Sequence, residues 1–260
     1  MKRIKRKLHY LPLILLFVVL VFCVSNMASA QANSPTGGAH APEPATLALM
    51  SITGMFGWIV RFARKRFQEF KRAFDIVVSI TGLIISAPIV AVTAIFIKIV
   101  SPGPVFFKQE RLGLNSEPFT IYKMRTMRLD AEKESGAVWA KENDPRFIAL
   151  GKYIRKAHID EIPQLFNVLK GDMSIVGPRP ERAVFVEKLS HEIPEYEKRL
   201  NVKPGITGLA QCWHKYDETI QDVKKKVKFD LLYIRKMCLW VDVRILLRTV
   251  VVVLTGHGAR

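Results

Sequence analysis

Three uncharged apolar runs occupy the first hundred residues, and mixed patterns begin only after them. Residues 11–24 are apolar behind Lys2, Arg3, Lys5, Arg6 and Lys7, with Ala28-Ser29-Ala30 following. This is the layout of a secretory signal peptide over residues 1–30, with an uncleaved signal anchor as the alternative because the run is short for a span. Residues 31–44 are rich in Gly, Ala, Ser and Pro and read as a linker. The second run, Ala45 to Val60, ends in Arg61, Arg64, Lys65 and Arg66, so residues 45–66 read as one short transmembrane segment with a basic flank. The third, Ile76 to Ile97, is long enough to span and holds Pro88 in its middle. Proline removes a helical hydrogen bond and crowds the preceding turn, so a break is expected there. On this pattern alone, residues 67–100 are equally a kinked spanning helix or a helix–break–helix that re-enters one face.

Beyond Ser101-Pro102-Gly103-Pro104 the periodicity shortens. Val105-Phe106-Phe107 and Phe119-Thr120-Ile121-Tyr122 predict short strands around a turn at Gly113 and Asn115. Residues 129–143 are polar, a helix or a surface loop. Phe147 to Ala157 predicts a short helix carrying basic residues towards Asp160. Ile162, Leu165, Phe166 and Leu169 follow the helical spacing, with Asp160 as a good N-cap, Pro163 in the first turn and Gly171 closing the helix. Residues 181–200 predict a surface helix interrupted near Pro194, and 217–235 a further helix with Lys224, Lys225 and Lys226 on one face. Residues 239–254 are apolar with Arg244 and Arg248 one turn apart, which suits an interfacial helix or a buried one with snorkelling arginines.

Charge adds a direction to this pattern. The net charge is +17, and eleven basic residues against two acids precede Ala73. Such an excess beside apolar segments favours an anionic membrane over nucleic acid. There is no RNA-binding aromatic signature, Cys/His zinc spacing or basic zipper, so nucleic acid is not an expected partner. Ser25 to Thr46 lacks Lys and Arg, which puts both basic clusters in the cytoplasm and the loop between them outside. Cys23, Cys212 and Cys238 form neither a disulfide framework nor a metal set, in keeping with a reduced compartment.

The candidate chemistry lies in His158–Pro180. Asp160 and Glu161 are adjacent carboxylates near a helix start, able to act as nucleophile or metal ligand, or simply to complement the helix end. Pro178-Arg179-Pro180 fixes a guanidinium between two rigid residues. Lys123 and Arg125, two apart on a strand, would share a face and converge on phosphates.

These stretches, with Lys123-Met124-Arg125-Thr126-Met127 upstream and Lys203-Pro204-Gly205-Ile206-Thr207-Gly208 downstream, resemble the bacterial sugar transferase family, the monotopic polyprenyl-phosphate phosphoglycosyl transferases. The resemblance runs from about Lys71 to about Leu254. It implies a helix-rich α/β catalytic domain with a small sheet over 101–260, held on the cytoplasmic face of the bacterial inner membrane by a re-entrant broken helix. It implies transfer of a sugar 1-phosphate from a nucleotide sugar, a UDP-sugar by analogy, to polyprenyl (undecaprenyl) phosphate. Asp160 would be the nucleophile, forming an aspartyl-phosphosugar intermediate, and Glu161 the Mg2+ ligand. Arg179 and Pro180 would lie near the nucleotide, Lys123 and Arg125 at the phosphates, and Arg111 would be a weaker substrate or structural partner. Where relatives carry a Gly-Arg phosphate binder, this chain has Cys212-Trp213-His214-Lys215, so Lys215 is the substitute, a point charge in place of a fork.

Pro42-Glu43-Pro44, the apolar stretch and its basic flank also resemble a PEP-CTERM sorting signal linked to exosortase systems. That tag normally ends a protein, whereas here it is internal. Two other functions compete: a non-enzymatic membrane scaffold, for which Asp160→Asn would be silent, and a hydrolase using the two carboxylates as acid and base, which adjacent residues seldom manage. The sugar, the oligomeric state (a homo-oligomer included) and the fate of residues 1–30 are left open.

Overall fold

The computed structural model describes residues 44–133, 136, 138, 144–213 and 219–255. The expected signal segment and almost all of the linker therefore lie outside the described residues. The chain divides into two units, Met1–Arg66 and Phe67–Arg260. The first is helical from Pro44, with Trp58 and Phe62 stacked at 5.4 Å and Arg66 above the Phe62 ring.

Helix α1 is assigned over Pro44–Val100. Its stretch Lys65–Val100 is long and apolar enough to cross a membrane by length and composition. The interruption expected at Pro88 does not occur, since the helical backbone continues through it. Pro88 removes one N–H donor from the helix, and two residues earlier the Ser86 hydroxyl donates to the Gly82 carbonyl at 2.6 Å.

Within the second unit one face of α1 is covered by the rest of that unit. Asp75, Ser79, Thr93 and Ile97 are buried and lie on one helical side. Asp75 accepts from Ile175 N at 3.0 Å, Arg72 donates to Leu169 O at 2.7 Å, and Lys71 pairs with Asp242 at 2.5 Å. Farther along, Val90, Ala94 and Ile97 join a core with Met124, Ile148 and Ile154. The opposite side shows Val77, Ile80, Ile84, Ile85, Val92, Ile95, Phe96 and Ile99.

Strands β1 (Phe106–Leu112) and β2 (Pro118–Met124) pair antiparallel as the alternation suggested, around a turn with positive φ at Asn115 and Ser116. Helix α2 (Gly151–Lys156) leads through a 3-10 turn at Ile159–Glu161 into α3 (Gln164–Lys170). Strands β3 (Ser174–Val176) and β4 (Gly205–Thr207) form a second, parallel pair that the pattern did not disclose. The two backbones close on each other past the strand ends, where a Cβ on Gly205 would lie 2.0 Å from Gly177 N, so only glycine fits. Helix α4 (Ala183–Glu192) ends before Pro194, and a 3-10 turn at Tyr196–Asn201 follows. Helices α5 (Leu209–Trp213), α6 (Ile220–Lys236) and α7 (Leu239–Thr255) complete the domain. The Thr219 hydroxyl caps α6 by accepting from Asp222 N. The main core joins Ile121, Val168, Met173, Ile175, Val176, Tyr233 and Ile245 from strands and helices alike.

Candidate active site

His158 adopts a left-handed conformation (φ 54) that ends α2 and throws the chain into the 3-10 turn. Asp160 and Glu161 sit in that turn, so Asp160 is not the N-cap of α3, and Pro163 holds the cap position. The tighter turn also changes the helical phase. The buried side of α3 is Gln164, Asn167 and Val168, while Phe166 of the expected apolar face is 54% exposed. Asn167 is buried because it closes the free edge of β2, accepting from Tyr122 N at 3.0 Å and donating to Thr120 O at 2.7 Å. Leu165 packs instead against α1 at Gly82, and Gly171 ends α3 at φ 100 as its position required.

The two carboxylates have unequal surroundings. Glu161 Oε1 accepts from Lys123 at 2.9 Å and from Arg179 at 2.6 Å, and its Oε2 has only a long 3.4 Å contact with Arg179. Burial pushes the Glu161 carboxyl up, but Arg179 and Lys123 overcome it and hold the group well below the usual carboxylate range. Asp160 is 6% exposed, and no hydrogen bond or ion pair reaches it among the described residues. Burial raises its pKa, the Glu161 charge adds to that, and Lys123, Arg155 and Arg179 oppose it. Arg155 is the basic residue of α2 that matters here, its Nε donating to the Thr126 hydroxyl at 2.9 Å. Both carboxylates line a cleft of about 950 Å3 together with Lys123, Arg155 and Arg179.

Arg179 owes its position to its neighbours in the Pro-Arg-Pro turn. Gly205 N donates to Pro178 O at 2.9 Å, Arg199 to Arg179 O at 2.9 Å and Arg111 to Pro180 O at 3.3 Å. Arg199 in turn pairs with Asp230 at 2.9 Å, both side chains 2% exposed. Glu181, next in the turn, pairs with Lys226 at 3.0 Å and Arg111 at 3.5 Å. Arg111 is thus a clamp on the turn, and Pro180 contributes its carbonyl.

Arg125 lines the same cleft but makes no hydrogen bond to either carboxylate among the described residues. Strand β2 ends at Met124, and the Arg125 guanidinium is taken up by the carbonyls of Ser101 and Pro102 at the end of α1, with 3.2 Å to the latter. Lys215 lies outside the described residues. Arg199, Asp230 and Lys226 are functional neighbours that the sequence did not reveal, because their segments read as surface helix.

Among the described residues no group of three or more His, Cys, Asp or Glu could hold a metal. Mg2+ needs less, binding through one or two carboxylates and completing its shell with water and substrate phosphate. Glu161 Oε2, short of close donors, is an oxygen available for such a partly hydrated ion. The residues present fit Mg2+ brought with a diphosphate better than a resident ion.

Comparison with known proteins matches residues 66–256 to the family described as bacterial sugar transferase and residues 40–66 to the PEP-CTERM protein-sorting motif. A UDP-N-acetylgalactosamine-undecaprenyl-phosphate N-acetylgalactosaminephosphotransferase of Aeromonas hydrophila is 46% identical over 190 residues, 73% of this chain and 45% of that protein. A putative undecaprenyl-phosphate N-acetylgalactosaminyl 1-phosphate transferase of Bacillus subtilis is 53% identical over 135 residues, 52% of this chain and 75% of that protein. A UDP-glucose:undecaprenyl-phosphate glucose-1-phosphate transferase of Escherichia coli is 41% identical over 182 residues, 69% of this chain and 39% of that protein. The chain therefore spans less than half the length of two of these three relatives.

Proposed function

The chain belongs to the bacterial sugar transferase family, and on that premise we propose that it transfers a sugar 1-phosphate from a UDP-sugar to undecaprenyl phosphate, releasing UMP. The observation that carries this reading is a buried carboxylate, Asp160, that has no partner among the described residues and lies beside a cationic group made of Lys123, Arg155 and Arg179. Such a group attracts a diphosphate and offsets charge that grows as phosphorus is attacked.

An Asp160 oxygen attacks the sugar-bearing phosphorus. A P–O bond to Asp160 forms, the bond to the bridging oxygen breaks, and its electron pair leaves with UMP. A phosphate oxygen of undecaprenyl phosphate then attacks the same phosphorus. The P–O bond to Asp160 breaks and the carboxylate returns, so both steps conserve charge without a general base. Glu161 keeps Lys123 and Arg179 oriented and would hold Mg2+ on its open oxygen, where the ion would offset diphosphate charge. Arg179, fixed by its turn, contacts phosphate as a preorganised fork.

The membrane setting follows from α1. From Arg72 to Ile97 a straight helix measures about 38 Å, and it meets the same catalytic body near both ends. A spanning helix would carry one end across the roughly 30 Å hydrocarbon layer and away from that body. We take α1 after residue 67 as an element that stays on the cytoplasmic face, with its bare apolar side in lipid and the cleft open to cytosolic nucleotide sugars.

The test is turnover of purified full-length protein with Mg2+ and radiolabelled UDP-sugars, with and without undecaprenyl phosphate. UMP and a labelled lipid diphosphate from wild type, absent in Asp160→Asn, are the expected products. Activity surviving in Asp160→Asn would remove the nucleophile, and no turnover with any donor would favour a scaffold.

A further inference from the structure

The cleft that holds Asp160 is not polar throughout. Besides Lys123, Arg155 and Arg179 it is lined by Ile162, Leu165, Ile206, Ala210, Val252 and Val253, with Thr207, Gln211 and Thr249 among them. Helix α7 forms one side of this apolar arm and is fixed there by Thr249, whose hydroxyl meets that of Thr207 at 2.7 Å and Cys212 Sγ at 3.3 Å. Val252 and Val253 follow one turn later on the same helical side. Leu247, Val250 and Val251 are exposed on the outside of α7, and Val253 is 41% exposed while still lining the cleft. The helix is therefore a thin wall between the cleft and a bare apolar surface, and Val253 belongs to both. Arg244 and Arg248 are exposed one turn apart on that outer side, where snorkelling side chains meet headgroups. Across the arm, Leu165 touches α1 at Gly82, and the neighbouring Ile80, Ile84 and Ile85 face outward.

A nucleotide sugar is a polyanion joined to a polyol and gains nothing from six aliphatic side chains. The lining suits a ligand that is anionic at one end and hydrocarbon along its length. Resting on the transferase reading, we propose that the seam between α3, α5 and α7 is the channel for the isoprenoid tail of the acceptor, its phosphate at Asp160, its first two isoprene units against Ile206 and Ala210, and the units beyond them passing Val252 and Val253. The acceptor would slide in from the membrane past Val253 without leaving the apolar phase, while the donor enters from the polar end. The two substrates then have separate entrances to one carboxylate.

Two measurements on the full-length protein in lipid nanodiscs test the channel. In the first, Val253→Trp and Val253→Asp, at a position open enough to accept either side chain, are compared with wild type using undecaprenyl phosphate and geranyl phosphate. We expect kcat/KM for the long acceptor to fall by about tenfold or more, with the short acceptor and the donor KM little changed. An equal loss with both acceptors, or no loss, overturns the channel. In the second, a polyprenyl phosphate carrying a diazirine in an isoprene unit beyond the second is photolysed with the protein, which needs no turnover. Labelling of the peptide 239–255 that Val253→Asp suppresses supports the channel, and labelling confined to the outer side of α1 overturns it. Failure of the transferase reading would show separately, as absence of UMP from wild type.

Discussion

Asp160 and Glu161 are neighbours in sequence with opposite fates. Glu161 is held as an anion by two cations, while Asp160 is left unpaired and buried, with its pKa raised above the ordinary 3.8. A group whose folded pKa is raised takes up its proton more tightly in the folded state, so its charge costs stability once the pH exceeds that value. Asp160→Asn should therefore raise the thermal midpoint at neutral pH while lowering turnover on the order of 10^3-fold or more, the pattern of a functional site held against stability. Scanning calorimetry beside the transfer assay reads both, and a lower midpoint would contradict it. The same environment governs the pH profile. Catalysis needs ionised Asp160, and Lys123 lowers its pKa, so Lys123→Gln should move the acid limb of donor kcat/KM to higher pH. A shift to lower pH would show that another group sets the limb. Asp160, Glu161, Arg179 and Lys123 were legible because motif and local geometry agree. Arg125 lines the same cleft, but two carbonyls at the end of α1 hold its guanidinium, which alternation along β2 could not disclose because the strand ends at Met124.

Among the elements, α6 is the one that holds the Pro-Arg-Pro turn. Asp230 and Lys226, one turn apart on it, reach the turn through Arg199 and Glu181. Removing one member of a fully buried pair leaves the other charged and unpaired, so Asp230→Ala should cost about 3–5 kcal/mol in urea unfolding. A cost under about 1 kcal/mol would mean that water reaches the pair. Glu181 adds a pH signature. Burial alone would raise it, but Lys226, Arg199 and Arg111 bring its pKa from 4.5 to about 2. Its contribution is fully present above pH 4.5 and is lost as the pH falls towards 2. Glu181→Gln should flatten the stability profile in that window, measured by urea midpoints at successive pH values. None of this network was legible, since Arg199 and Asp230 stand 31 residues apart in segments that read as solvated helix. Strands β3 and β4, three residues each, were hidden for a similar reason, because their pairing is long-range and too short to leave a period. The antiparallel pair β1 and β2 was legible from alternation and a local turn.

For the molecule as a whole, the apolar runs disclosed contact with a membrane but not how it is made. Length and hydropathy are the same for a helix that spans and one that stays on one face, and the packing of α1 against the body near both ends favours the second. Cysteines at Gln68 and Lys108, before and after the apolar stretch and both exposed, should react with an impermeant maleimide from the cytoplasmic side alone, in a Cys238→Ser background. Labelling from opposite sides would make α1 a span and carry the cleft away from its donor. The most direct test of the account is the mass of the intact protein after exposure to UDP-sugar and Mg2+ without acceptor. The account predicts one added sugar phosphate per chain, localised to Asp160, absent in Asp160→Asn and discharged by undecaprenyl phosphate. An unmodified protein that still turns over when the acceptor is supplied would contradict it and favour direct transfer between two bound substrates.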